Sequence, residues 1–127
     1  MMIAKISVAA VALLHVVFMY MECVLWSRPA GRRILAMSET QAGQTAVLAA
    51  NQGLYNGFLA AGLGRGLLLH DDCGTRITVF FLGCVVVAGI FGAITAGRLI
   101  LWLQGLPGAV ALSLVFSIQA GCNCCRT

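Results

Sequence analysis

Long apolar runs alternate with short polar breaks along the 127-residue chain. The runs cover about residues 3–26, 45–69, 77–96 and 99–118, and each is close to the roughly 20 residues that a helix needs to cross a bilayer. Proline, glycine and charged residues fill the breaks. Because short connections favour antiparallel neighbours, the pattern predicts an all-α fold, a four-helix transmembrane bundle that runs up-down-up-down. The whole chain, residues 1–127, then forms a single integral membrane domain.

Composition also favours an integral membrane protein over a soluble domain. Hydrophobic residues make up 61% of the chain and charged residues 9%, whereas soluble domains carry about 25% charged residues. The formal charge of +4 lies mostly at the ends of the apolar runs, which is typical of topology anchors and argues against a nucleic-acid partner. The expected partner is the lipid bilayer. The expected location is the cell membrane, as a multi-pass protein.

Basic residues in the predicted loops set the expected orientation. Arg28, Arg32 and Arg33 cluster between the first two helices, and such clusters favour the cytoplasmic side. We therefore expect the loops after helices one and three to be cytoplasmic and both termini to lie outside. A short interfacial helix fits the first of these loops. The first apolar run is too long for a signal peptide and lacks a cleavage site of small residues, so we interpret it as a retained helix.

Polar side chains inside the apolar runs are the candidates for function. His15 and Glu22 lie seven residues apart on helix one, almost two full turns, and therefore share one face. An ionisable group in a membrane helix is costly unless it is paired, so Glu22 needs a partner in the bundle interior. Helices two and four supply the remaining candidate ligand-binding residues, which are Asn51, Gln52, Tyr55, Asn56 and Gln104.

The depths of these groups predict which of them meet. At a rise of about 1.5 Å per residue, four of them lie roughly 6–10 Å below one membrane face: Glu22, Asn51, Gln52 and Gln104. His15 and Asn56 match each other at about 16 Å, near mid-membrane. We therefore expect Glu22 to contact one of the three amides at its own level. Simple hydrogen-bonded struts between helices are the alternative role for all of these residues.

Glycine and proline positions predict how the helices pack and bend. Gly53 and Gly57 form a G-x-x-x-G pair, which lets another backbone approach closely. This face should contact another helix of the chain, and a homo-oligomer through Gly53 and Gly57 is a further candidate assembly. Pro107 lies inside helix four, where its missing N–H frees a carbonyl and favours a kink.

The six cysteines predict neither a disulfide framework nor a metal site. Cys23 and Cys84 lie in apolar runs, where a thiol behaves as a small hydrophobe. Cys122, Cys124 and Cys125 crowd the tail without the paired spacing or the histidines of a zinc site. We interpret this segment as a juxtamembrane tail, with acylation as a candidate modification and metal binding as the less favoured alternative.

Three segments of the sequence resemble a known membrane family. They run from Met19 to Trp26, from Leu48 to Gly62 and from Val87 to Gly92. Together they resemble the small integral membrane family catalogued as domain of unknown function 1304, over roughly residues 3–112. The resemblance implies a four-helix membrane protein without an established activity. The positions that match the family pattern are Glu22, Trp26, Asn51, Gln52, Gly53, Tyr55, Asn56 and Gly57.

Three kinds of function fit these features. The polar cluster suits a protein that binds a small amphiphile or takes part in transport. A membrane enzyme acting on a lipophilic substrate, with Glu22 or His15 as general base, is one alternative, and a purely structural accessory subunit is another. The sequence contains no recognisable nucleophile–base pair, metal cluster or phosphate-binding loop, so a binding or structural role ranks above an enzyme. The residues identify no cofactor.

Overall fold

Helices make up most of the described chain. The computed structural model describes residues 2–124, and the side chains of residues 2–118, and these residues contain no strand. The α-helices are α1 (Met2–Tyr20), α2 (Pro29–Ile34), α3 (Glu39–Leu68), α4 (Asp72–Thr95) and α5 (Leu106–Cys124). The described chain also contains two π-helical turns: Met21–Leu25 continues α1, and Leu101–Gly105 precedes α5. The predicted all-α class is confirmed.

Three of the described helical segments are long and apolar enough to cross a membrane, which indicates a membrane protein. They are Met2–Leu25, Asp72–Thr95 and Leu101–Ile118. The longest helix, α3, has 30 residues but is not among them, because amides and glycines dilute its apolar residues. The fourth crossing, and with it the up-down-up-down bundle, therefore stays a prediction.

Two helices begin earlier than the apolar pattern predicts, since polar residues fill their first turns. A capping box starts α3: the Gln41 backbone N–H donates to Ser38 Oγ at 3.2 Å, and the Ser38 N–H donates to Gln41 Oε1 at 3.0 Å. Asp71 starts α4 in a related way, because its Oδ1 accepts from the Gly74 N–H at 2.9 Å. These bonds satisfy N–H groups that have no partner within the helix.

The first loop and the last helix contain the predicted irregularities. α2 is the short helix expected after the first run, and it begins with proline at its first position. In the last helix, the disturbance expected at Pro107 takes the form of the π-helical turn Leu101–Gly105, in which the Leu106 N–H donates to the Leu101 carbonyl. Because proline lacks an N–H, a wider turn just before it loses little hydrogen bonding.

The chain divides into two compact units. We call Leu13–Ala60 the central unit, and Met1–Ala12 with Ala61–Thr127 the terminal unit. In the central unit, the end of α1 lies against the first half of α3, and Trp26 Nε1 donates to Thr45 Oγ1 at 3.0 Å. The chain directions there are antiparallel, because later residues of α3 meet earlier residues of α1.

The terminal unit is built on close contact between α4 and the segments that follow it. Its fully buried side chains include Leu63, Leu82 and Val85. A Cβ atom added at Gly89 would lie 2.5 Å from the backbone of Gly105, so glycine at this point permits backbone to touch backbone. Because these two residues have no side chains, the backbones of helix α4 and of the π-helical turn Leu101–Gly105 come into direct contact here.

Candidate functional site

Glu22 is paired with an amide of α3 inside the central unit. Asn56 Nδ2 donates to Glu22 Oε2 at 2.7 Å. Asn56 is only 5% exposed, and Glu22 is half-buried within the π-helical turn Met21–Leu25. The prediction that Glu22 needs a polar partner is confirmed. The amide that supplies this bond is Asn56, which the depth argument had placed beside His15 instead.

Helix phase explains why Asn56 is the amide that meets Glu22. The residues of α3 that are buried in the central unit recur every three to seven positions and form one stripe: Ala42, Ala49, Gly53, Asn56 and Ala60. Asn51 and Gln52 lie off this stripe and are exposed. Asn51 Nδ2 donates to the Val47 carbonyl of its own helix at 2.9 Å. The expectation that Glu22 contacts an amide at its own predicted depth was therefore wrong, because depth counted from the predicted helix ends ignores which side of α3 faces α1.

The glycine pair of α3 contacts α1 and the π-helical turn that continues it, as predicted. A Cβ atom at Gly53 would lie 2.5 Å from Cys23 Sγ, and one at Gly57 would lie 2.7 Å from Met19 Sδ. Cys23 Sγ also donates to the Ala50 carbonyl at 3.5 Å. The close helix contact is confirmed within one chain. A homo-oligomer through the same glycines stays a prediction.

His15 is buried in the central unit, and Gln104 lies in the terminal unit. His15 is 0% exposed, and its ring meets Phe18 edge-on with 5.8 Å between ring centroids. Gln104 belongs to the terminal unit, where it is half-buried in the π-helical turn Leu101–Gly105. Glu22 and Gln104 thus lie in the two π-helical turns, which in proteins often mark functional positions. Pro107 was the sequence signal for the second turn, and we find no comparable signal for the first.

Three of the predicted site residues form an exposed polar face on α3. Asn51, Gln52 and Tyr55 are all exposed, and Tyr55 retains 58% of its accessible surface. The Tyr55 ring packs edge-on against Phe58, with 6.2 Å between ring centroids. We refer to Asn51, Gln52 and Tyr55 as the α3 polar face. It lies on a different side of α3 from the stripe that contacts α1.

An open cleft in the terminal unit brings together polar residues that sequence reasoning did not select. Its volume is about 150 Å³. The polar groups at its rim include Lys5, His70, Asp71 and Thr75. Apolar side chains line the rest, among them Val8, Leu67, Val115 and Ile118. The only sequence signal for these polar residues was their position at the ends of apolar runs, which also suits topology anchors.

The hydrogen bonds around the cleft leave its two basic groups available. The Asp71 carboxylate accepts the capping bond from Gly74, and the Thr75 hydroxyl donates to the Asp71 carbonyl at 3.4 Å. Lys5 and His70 are exposed and have no hydrogen-bond or ion-pair partner among the described residues. The cleft therefore combines an apolar interior with free cationic or hydrogen-bonding groups at its mouth.

Cysteines and acidic residues do not assemble into a metal-binding group in the described part of the chain. Cys23, Cys73 and Cys84 are free thiols. No three His, Cys, Asp or Glu side chains among the described residues come close enough to hold a metal ion. The expectations for the tail cysteines concern side chains outside the described residues, namely those of Cys122, Cys124 and Cys125.

Comparison with known proteins places the chain in one family. No curated protein and no solved structure matches it. The family described as "Protein of unknown function (DUF1304)" matches residues 9–116, which is most of the sequence. The matched region includes both π-helical turns and the Glu22–Asn56 pair. As the resemblance of its three segments predicted, the chain belongs to the DUF1304 family.

Proposed function

We propose that this chain is a multi-pass protein of the cell membrane that binds a small amphiphile with an acidic head group. In this proposal α3 is the fourth crossing, which gives the up-down-up-down bundle with both termini outside. The 30 residues of α3 reach about 45 Å, more than the roughly 30 Å of a hydrocarbon layer. In the central unit α3 packs against the end of the candidate span Met2–Leu25, which supports a position for α3 within the membrane beside that span.

The cleft around Lys5 and His70 is the observation that carries this proposal. The ends of all three candidate spans contribute to its surroundings: Lys5 lies near the start of the first, Asp71 directly precedes the second, and Ile118 ends the third. The ends of spans lie at the level of lipid head groups. The apolar interior of the cleft then points a hydrocarbon chain toward the membrane, and the polar rim faces the head group.

The charges at the rim select the head group. The Lys5 ammonium and the His70 imidazole can both donate hydrogen bonds to a carboxylate or phosphate oxygen. Asp71 contributes one negative charge beside them, which disfavours a head group with several negative charges. A head group with a single negative charge therefore fits best. The long, flexible side chain of Lys5 lets its charge reach the aqueous side while its methylenes cover apolar surface.

The size of the cleft limits how much of the ligand it encloses. Pockets that enclose a drug-sized molecule measure about 300–1,000 Å³. With a volume of about 150 Å³, this cleft holds a head group and the first few carbon atoms. The rest of the chain would lie against lipid or the protein surface, which suits a single-chain amphiphile. Release to either side of the bilayer would turn the same site into a transport site.

Native mass spectrometry of the detergent-purified protein tests the proposal directly. The protein is mixed with three amphiphiles of equal chain length: a fatty acid, a zwitterionic lysophospholipid and an alkylammonium. We expect the fatty acid to bind most tightly and the alkylammonium least. Lys5→Gln should weaken fatty-acid binding about tenfold, the effect of losing one hydrogen bond from a charged group.

Arg33→Gln is the matched control, because it removes the same charge from an exposed residue of α2 outside the cleft. Fatty-acid binding should be unchanged in this variant. Equal affinity for all three amphiphiles, or equal losses in the Lys5 and Arg33 variants, would show that the cleft does not recognise an acidic head group.

An enzyme acting on a lipophilic substrate is the second candidate function, and the surroundings of Glu22 favour it. His15 is fully buried, so Glu22 is the more accessible of the two candidate bases. Its place in a π-helical turn is typical of functional residues, whereas its bond to Asn56 also suits a structural strut. Glu22→Gln keeps a hydrogen-bond acceptor for Asn56. Loss of substrate turnover with unchanged stability would favour catalysis, and lower stability alone would favour the strut.

A further inference from the structure

The α3 polar face presents amide groups where lipid would otherwise lie. Asn51 and Gln52 are exposed, and three apolar neighbours on α3 are exposed beside them: Leu48, Leu54 and Phe58. Hydrogen-bonding groups scattered over a water-facing helix need no explanation, but this helix packs against a candidate membrane span. Whether the two amides can bond to water therefore depends on their level along that span.

Contacts within the central unit fix that level. Trp26, next to the end of the span Met2–Leu25, bonds to Thr45, and Met19 of the same span faces Gly57. Asn51 lies six residues beyond Thr45, which is about 9 Å further along the helix axis. Tryptophan at the end of a span marks the membrane interface. With α3 as the fourth crossing, the part of the proposed function on which this inference rests, the amides lie below the interface, at the level of apolar residues of α1.

The hydrogen bonds among the described residues do not satisfy these amides. The described residues supply one bond to Asn51, from its Nδ2 to the Val47 carbonyl, and none to the Gln52 side chain. Each amide group has two donor hydrogens and an oxygen that can accept two bonds. Below the interface water does not supply the missing partners, and unsatisfied polar groups in hydrocarbon are costly. A protein surface with its own donors and acceptors would satisfy them.

We propose that a second copy of this chain docks on the α3 polar face, so that two α3 helices pair within the bilayer. Amides are self-complementary, since each offers both donors and acceptors, and a two-fold pair brings the same patch of each copy together. The exposed leucines and Phe58 then pack around the paired amides. This surface differs from the Gly53–Gly57 face, which α1 already covers in the central unit.

Förster energy transfer between labelled copies in lipid vesicles tests this pairing. Donor- and acceptor-labelled protein are mixed at increasing protein-to-lipid ratios, and single-molecule photobleaching counts the copies. We expect transfer to rise with protein density and to saturate with two copies per complex. Asn51→Leu with Gln52→Leu should raise the protein-to-lipid ratio at half-pairing roughly tenfold, the effect of losing a few hydrogen bonds in a membrane.

Two further variants separate the amides from general changes in the helix. Gln52→Asn keeps an amide and should retain pairing. Ser113→Leu replaces an exposed polar residue of α5 with the same leucine, and it should pair like the unmodified protein. Circular dichroism verifies that each variant is helical.

The proposal is overturned if the unmodified protein stays monomeric at the highest density. It is also overturned if the double leucine variant pairs as tightly as the unmodified chain, or if Ser113→Leu weakens pairing as much as the double variant does.

Discussion

Replacing Asn56 with leucine should destabilise this protein through the loss of one specific hydrogen bond. Asn56 is 5% exposed and donates to Glu22 Oε2 at 2.7 Å, so the variant leaves a half-buried carboxyl group without its amide. A buried polar group that loses its partner costs about 1–3 kcal/mol, whereas hydrogen bonds in membrane proteins average about 0.6 kcal/mol. Because this bond is short and its donor is buried, we expect a loss of about 1–2 kcal/mol in the free energy of unfolding.

A double-mutant cycle isolates the bond from the change in side-chain shape. Glu22→Leu and Asn56→Leu are measured singly and together. Once one partner is gone, removing the other should cost less, so the double variant should be more stable than the sum of the two single losses predicts. We expect a coupling free energy of about 1 kcal/mol, well above the roughly 0.3–0.5 kcal/mol within which independent sites add.

Unfolding by sodium dodecyl sulfate in mixed micelles, followed by far-ultraviolet circular dichroism, supplies the free energies. Asn51→Leu is the matched control, since the Asn51 side chain is exposed and its bond in the described chain goes to its own helix. In dilute micelles this control should change the free energy of unfolding by less than about 0.5 kcal/mol. Additive single losses, or an equal loss in the control, would refute the view that the Glu22–Asn56 bond stabilises the central unit.

Three further predictions concern packing, capping and topology. Gly53→Ala should lower the free energy of unfolding by about 1–3 kcal/mol, because its Cβ would lie 2.5 Å from a sulfur atom. Gly43→Ala has nothing within 4 Å of its Cβ and should raise the free energy of unfolding by about 0.5–1 kcal/mol. The same unfolding titration compares the two variants. Ser38→Ala removes one bond of the capping box and should cost about 1 kcal/mol in that titration. Single cysteines introduced near Lys5 and near Thr127 of a cysteine-free variant should react with an impermeant thiol reagent from the same side; labelling from opposite sides would contradict an even number of crossings.

The presence of the long helices was predictable from sequence, because the apolar runs are long and are separated by charged residues, glycine and proline. Helix starts were less predictable, because the first turns of α3 and α4 contain polar residues that read as loop. Ser38 with Gln41 and Asp71 with Gly74 supply the capping bonds there. A search for capping patterns upstream of each run would have found both starts. Apolar periodicity describes the buried part of a helix, whereas caps determine where the backbone begins to turn.

The candidate site was predictable in its members but not in its pairing. Glu22 and Asn56 were both candidates, and the need for a partner followed from the cost of a carboxyl group in a membrane helix. Their bond depends on which side of α3 faces α1, and the small residues Ala49, Gly53 and Ala60 identify that side. The cleft around Lys5 was not predictable, since its residues come from distant parts of the sequence and each has an ordinary role as an anchor or cap.

The π-helical turn Met21–Leu25 also determines how this chain tolerates changes of length. A π turn closes its hydrogen bonds over five residues instead of four, so it holds one residue more than an α-helical turn. Removing one residue there would restore a regular α-helical turn and leave the residues beyond it at nearly the same angle around the helix axis. Trp26 would then keep its side toward Thr45, and α2 would follow nearly the same path. A single-residue deletion in this segment should therefore harm the fold less than the same deletion within Met2–Tyr20, where everything beyond the deleted residue would rotate by about 100° around the helix axis.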